Sequence, residues 1–281
     1  MQNKKGLDRY LSRLDVWAMA FGCMVGWGAF VMPGTTFLPV AGPAGTVIAL
    51  TIGTLIMLII GANFSFLMTH SPSTGGVYSY TKNAFGRDHA FLASWFLCLS
   101  YLTIVFLNAT ALFIVIRVLF GSRLQIGYHY AIAGNDIYLG EVALSVLALA
   151  WVGLLFIHAK AFLQKLFTLL AVLLLIGSVL ITALCLPQLP TGMLFSFGHS
   201  GVGKGFAVFT IVIMAPWAFV GFDVASFDTA HYKFPARQTK WVIALSIFIA
   251  GFVYTAMSAS AWPPCRSSTP PGRPIWRIWE T

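Results

Sequence analysis

The chain has 281 residues, of which 58% are hydrophobic and only 9% are charged. A composition this apolar excludes a soluble globular domain and predicts a polytopic helical membrane protein. The formal net charge of +9 does not indicate nucleic-acid binding, because the basic residues of a membrane protein report its orientation instead.

Apolar runs predict seven membrane spans behind a polar tail over residues 1–15. No cleavable signal peptide is expected, since the first apolar run is too long and no small-residue cleavage site stands out. The spans are expected over about 16–40, 44–68, 90–116, 140–157 and 166–186, from about 205, and over 241–260. The predicted fold class is therefore an all-α polytopic membrane protein, with its transmembrane domain over 16–260.

Glycines interrupt the first span near its middle. Gly22, Gly26 and Gly28 are followed by Pro33, and an interior glycine or proline costs a helix about 1 or 3 kcal/mol relative to alanine. A helix opened at mid-membrane is how secondary transporters build a binding site. Glycines four residues apart also favour close helix packing, and this span alone leaves both interpretations open.

The sixth span repeats the interruption. Pro216 and Gly221 bracket an aromatic stretch, and Asp223 follows at a depth where a carboxylate marks a functional site by default. Spans 1 and 6 cross the membrane in opposite senses, so their matching breaks predict an inverted-repeat transporter, with a first repeat over about 16–186 and a partial second repeat over about 205–260. The alternative is a pair of independent proline kinks.

The two breaks predict a site for an α-amino acid. Free amides at Trp27 and Gly28 suit its carboxylate, whereas free carbonyls near Val25 and in span 6 suit its amino group. Trp217 and Phe219 are expected to cover its side chain, and Asp223 is expected to carry a coupled proton. The predicted substrate-binding residues are Val25, Gly26, Trp27, Gly28, Trp217, Phe219, Val220 and Gly221.

Three motifs resemble the amino acid–polyamine–organocation superfamily of permeases. They are GxxxGWGAFxxPG at 22–34, PSTGGVYSY at 72–80, and FVGFD at 219–223 followed by Pro235 and Arg237. The resemblance covers residues 10 to about 258. It implies a five-plus-five inverted repeat, symport or exchange of amino acids or amines, and a coupling role for Asp223, where some exchangers of the family carry glutamate.

The charge distribution predicts a cytoplasmic N-terminus. The segments then inside hold eleven Lys and Arg residues and the outside loops hold three, so a multi-pass protein of the cytoplasmic membrane is expected. Residues 261–281 hold five prolines and three arginines and predict a disordered tail in place of further spans. We therefore expect a truncated permease whose transport is compromised.

Other function classes fit the sequence less well. A heptahelical receptor normally exposes its N-terminus outside, against the charge bias, while a non-transporting membrane subunit that needs a partner stays open. The scattered histidines and the four cysteines show no metal-ligand or Cys-x-x-Cys spacing. No catalytic constellation is present in the sequence, so we predict no enzyme, metal or cofactor, and the expected partners are a small-molecule substrate, protons and lipid.

Overall fold

The computed structural model describes residues 9–71, 75–132, 135–189, 192, 196–197 and 203–261. These residues are almost entirely helical, which confirms the all-α polytopic class. The helices are α1 Arg13–Met24, α2 Gly28–Met32, α3 Leu38–His70, α4 Gly76–Phe85, α5 Arg87–Phe120, α6 Leu139–His158, α7 Lys160–Cys185, α8 Lys204–Ala218 and α9 Thr239–Ser260. A π-helical turn, Pro33–Phe37, joins α2 to α3, and two short antiparallel strands, β1 His129–Ile132 and β2 Asn135–Tyr138, form a hairpin.

Six helical stretches of the described chain are long and apolar enough to cross a membrane. They are Gly28–His70, Arg87–Arg117, Leu139–His158, Lys160–Cys185, Lys204–Ser226 and Ala236–Ser260. The first has 43 residues, and at 1.5 Å per residue it is about 65 Å long, twice the bilayer core. Gly42, with φ 67°, breaks its helical geometry directly before Pro43, at the predicted turn between spans 1 and 2. The part after Gly42 corresponds to predicted span 2, whereas predicted span 1 comprises α1 and the part before Gly42. The other five stretches correspond to the other five predicted spans.

Two predictions fall wholly or partly outside the described residues. The expected disordered tail lies there except for Ala261, and so do residues 72–74 of the second motif. The proposed inverted repeat and its boundaries stay predictions. By its contacts, the chain divides into two compact units, Met1–Tyr80 with Phe167–Thr281, and Thr81–Leu166.

The core of the first unit is built on α9. Helix α9 packs along α3 and α1, and its buried face includes Ile243, Ile247 and Tyr254. Helix α3 also packs against α8. Glycine permits the closest approach, since a Cβ on Gly61 would lie 2.6 Å from Ile247. Small residues at helix contacts are typical of membrane packing, where apolar surface alone does not drive association.

The N-terminal segment is tied to the loop that follows the sixth span. The amides of Tyr10 and Leu11 donate to the His231 carbonyl at 3.1 and 3.2 Å, and the Lys233 amide donates to the Leu11 carbonyl at 2.9 Å. The Leu11 side chain is 1% exposed. We call this pairing the N-terminal clasp, and the sequence patterns did not predict it.

The second unit contains an ion pair whose carboxylate is buried. Arg117 near the end of α5 donates two hydrogen bonds to Glu141 in the first turn of α6, at 2.7 and 2.9 Å, and a third to the Asp136 carbonyl. The Glu141 side chain is 1% exposed. The β1–β2 hairpin lies in the connection between these two helices, in the segment between the predicted spans 90–116 and 140–157.

Candidate functional site

The break in the first span lies between Met24, the last residue of α1, and Gly28, the first residue of α2. Val25 leaves the helical conformation, with φ −98° and ψ 84°. The amides of Gly26, Trp27 and Gly28 make no hydrogen bonds to the carbonyls three or four residues before them. The Val25 carbonyl accepts no hydrogen bond from a described backbone amide. Polar backbone groups of a membrane span are therefore left open where lipid offers no partner.

The break in the sixth span begins where α8 ends at Ala218, two residues after Pro216. Gly221 adopts φ 105°, a left-handed conformation that other residues rarely accept, and a 3₁₀ turn over Phe222–Ser226 follows. Asp223 is half-buried in that turn. The helix therefore breaks within the predicted stretch, and the glycine at its far end is conformationally required.

The two breaks touch each other. A Cβ on Gly221 would lie 2.6 Å from the Cβ of Cys23 and 3.2 Å from the carbonyl carbon of Cys23. The Val220 carbonyl, like that of Val25, accepts no hydrogen bond from a described backbone amide. The structure thus brings unpaired donors of span 1 and an unpaired acceptor of span 6 into one region, through a contact that only glycine allows.

Tyr254 of α9 lies beside both breaks, and sequence reasoning missed it. The Tyr254 hydroxyl donates to the Met24 carbonyl at 3.2 Å, and its ring centroid is 6.2 Å from that of Phe219. The residue is 2% exposed. A tyrosine within an apolar span is unremarkable as a pattern, and its partner lies 230 positions away, so no local signal in the sequence identifies it.

The side chains of the predicted substrate-binding residues differ in their exposure. One Trp217 ring atom lies 3.6 Å from the position of a Cβ on Gly28, and the Trp217 side chain is 49% exposed, so it lines the break. No atom lies within 4 Å of a Cβ on Gly26. Phe219 and Val25, by contrast, are 0% and 1% exposed. Their side chains belong to the core, so any contact from these two residues to a ligand comes from the backbone.

The arrangement supplies hydrogen-bond donors and acceptors but no set of metal ligands. Across the part of the chain that the structure describes, no three His, Cys, Asp or Glu side chains are grouped so that they could hold a metal ion. Amides at the start of a helix suit an anion, and free carbonyls suit an ammonium group. A ligand that carries both charges at short separation matches this chemistry.

Comparison with known proteins agrees with the sequence motifs. The family model described as amino acid permease matches residues 11–262. The branched-chain amino acid permease BcaP of Bacillus subtilis is 25% identical over 265 residues, which cover 91% of this chain and 55% of that protein. Human cationic amino acid transporter 4 is 27% identical over 90% of this chain and 40% of its own length.

A shorter match involves an exchanger. The serine/threonine exchanger SteT of Bacillus subtilis is 27% identical over 90 residues, or 32% of this chain and 20% of that protein. The chain spans about half the length of the curated relatives that it matches along most of its own sequence. These relatives are transporters and permeases, not enzymes.

Proposed function

Because the chain belongs to the amino acid permease family, we propose that it acts in secondary active transport of amino acids or related amines across the cytoplasmic membrane by alternating access. The observation that carries this proposal is the contact of two broken helices at Gly221 and Cys23, with unpaired backbone groups on both sides. Broken helices near the midplane are the usual place of substrate sites in inverted-repeat transporters.

The substrate carboxylate binds the amides of Gly26, Trp27 and Gly28. These amides precede a continuous helical stretch whose positive end favours an anion. The amino group binds the carbonyls of Val25 and Val220. Backbone groups then recognise the part that all α-amino acids share, which suits a family whose members are named for branched-chain, cationic and hydroxylated substrates.

The residues next to this backbone site determine which substrate side chains are preferred. Trp217 lies against Gly28 and offers an aromatic face to an apolar or cationic group. Trp27 is itself half-buried at the break and limits the volume beside the amides. The proposed substrate class is accordingly an α-amino acid whose side chain packs on Trp217.

Asp223 carries the proton if transport is proton-coupled. It lies two residues beyond Gly221, half-buried at the end of the membrane span, and an intramembrane carboxylate is typical of proton relays. We expect Asp223→Asn to flatten the pH dependence of uptake while leaving substrate binding in place. An unchanged pH profile assigns transport to exchange or to another coupling group.

The N-terminus is cytoplasmic in this proposal. The eleven-to-three distribution of Lys and Arg residues supports that orientation. The N-terminal clasp and the loop around Lys233 then lie on the cytoplasmic side. Labelling of a cysteine introduced at Arg9 in intact and permeabilised cells tests it, and labelling in intact cells would reverse the assignment.

The binding site itself is tested with the purified whole chain in lipid nanodiscs. Radiolabelled leucine, arginine and serine are measured for equilibrium binding, and leucinamide and N-acetyl-leucine compete against the best ligand. We expect each blocked analogue to compete at least about tenfold more weakly, since a charge-assisted hydrogen bond contributes roughly 1.5–3 kcal/mol. Absence of binding for all three amino acids would overturn the proposal, and uptake into proteoliposomes separates transport from binding alone.

A further inference from the structure

Tyr254 occupies the place of a missing helical hydrogen bond. In an unbroken helix, the Met24 carbonyl would accept from the amide of Gly28, four residues later. That bond is absent, and the Met24 carbonyl accepts instead from the Tyr254 hydroxyl at 3.2 Å. The Tyr254 hydroxyl of α9 thus replaces the Gly28 amide as the hydrogen-bond donor at the point where α1 and α2 separate.

The surroundings hold this hydroxyl in place. Tyr254 is 2% exposed, and its ring lies 6.2 Å from Phe219 and 6.5 Å from Phe37, centroid to centroid. The hydroxyl oxygen is 3.4 Å from the position of a Cβ on Gly28. A rigid ring packed between the two broken spans leaves its oxygen little freedom to leave the Met24 carbonyl.

We propose that Tyr254 is a positioning residue that keeps the break of the first span open and thereby leaves the Gly28 amide available to a substrate carboxylate. A buried carbonyl without a donor is unfavourable, so the hydrogen bond from Tyr254 lowers the free energy that the Met24 carbonyl would gain from a closing turn of the helix. With the hydroxyl present, the helix gains less by closing. This inference rests on the proposed function, because it concerns how the same site binds a carboxylate.

The test is Tyr254→Phe, which removes the hydroxyl and keeps the ring. Leucine and leucinamide are compared for binding to the purified whole chain, since only leucine carries the carboxylate. We expect the ratio of their affinities to fall about tenfold in Tyr254→Phe, through weaker leucine binding and little change for leucinamide. A general loss of packing would weaken both ligands and leave the ratio unchanged.

Tyr232→Phe is the matched control. Tyr232 is also buried, and its hydroxyl also donates to a backbone carbonyl, that of Ala225 in the 3₁₀ turn Phe222–Ser226 at the end of the sixth span. We expect this variant to retain the wild-type affinity ratio. An equal fall of the ratio in both variants would overturn the inference, and so would an unchanged ratio in Tyr254→Phe. If the wild-type protein binds neither ligand, it is the proposed function that fails.

Hydrogen–deuterium exchange of the wild-type protein provides a second measurement should Tyr254→Phe not fold. The Gly28 amide is expected to exchange rapidly without ligand and to become protected by leucine but not by isoamylamine, which lacks the carboxylate. Strong protection of this amide in the ligand-free protein would show that it is already paired and would overturn the inference.

Discussion

Polar groups lack hydrogen-bond partners at the break of the first span, whereas they are paired in the Arg117–Glu141 ion pair. At the break, three amides lack their helical partners, whereas the Glu141 carboxylate in the second unit accepts two hydrogen bonds from Arg117 and is 1% exposed. Both regions face the same cost, since unpaired polar groups away from water are unfavourable. We therefore interpret the paired region as a contribution to the stability of the fold, and the unpaired region as a candidate ligand-binding site.

The largest effect is expected from breaking the paired region. Arg117→Met leaves the buried Glu141 carboxylate without its cation. Because the Arg117 side chain is 34% exposed, we expect the lower end of the about 3–5 kcal/mol that loss of one partner costs a fully buried pair. Unfolding in detergent, followed by circular dichroism, measures the loss. The double variant Arg117→Met with Glu141→Leu removes both charges and should recover most of the stability. Equal stability of Arg117→Met and the wild type would show that the pair adds nothing.

Gly221→Ala should damage the unpaired region nearly as strongly. The added Cβ meets Cys23 at 2.6 Å, and the backbone has φ 105°. Overpacking at about 1–3 kcal/mol and left-handed strain of about 1 kcal/mol together predict a loss of about 2–4 kcal/mol. We also expect leucine binding to disappear, because the two breaks are forced apart.

Gly177→Ala is the control for that variant. Gly177 lies inside α7, and no atom lies within 4 Å of its Cβ position. Alanine there should leave the free energy of unfolding unchanged or raise it by up to about 1 kcal/mol, so the melting temperature should stay the same or rise slightly. If both alanine variants behave alike, the contact between the breaks is not what constrains Gly221.

The positions of the breaks could be predicted from sequence, but the residue that holds the first one open could not. Gly26, Gly28 and Gly221 stand out because glycine and proline weaken helices locally. Tyr254 acts through a partner far along the chain, and Glu141 appears in the sequence as one acidic residue at the edge of a span. Long-range pairing depends on how helices pack, which local composition does not specify.

The side chains of the site also departed from the sequence pattern. Phe219 was predicted to cover a substrate, and the structure buries it completely against Tyr254. Trp217 instead lines the break beside Gly28. Both residues are aromatic and lie two positions apart, which places them on opposite sides of a helix, and composition alone does not say which side faces the core.

The smallest effect is predicted for Asp15, whose carboxylate accepts hydrogen bonds from hydroxyl groups and, within the described part of the chain, not from a cation. Burial raises the pKa of Asp15, but hydrogen bonds from Ser12 and from Thr168 outweigh it and hold the pKa below its ordinary value. A carboxyl group with a lowered folded pKa stabilises the fold above its unfolded pKa of about 3.9, and this contribution is lost as the pH falls through the folded value.

Asp15→Asn should therefore cost about 1 kcal/mol at pH 6, the scale of a helix-capping residue, and progressively less as the pH falls below about 4. Melting temperatures of both proteins across this range measure the difference. Asp88→Asn is the control, because Asp88 is an exposed residue in the first turn of α5 and shares only the favourable position near a helix N-terminus. A constant gap between wild type and Asp15→Asn at pH 6 and pH 3 would show that the carboxylate charge is not what secures the start of α1, and would leave Ser12 as its cap.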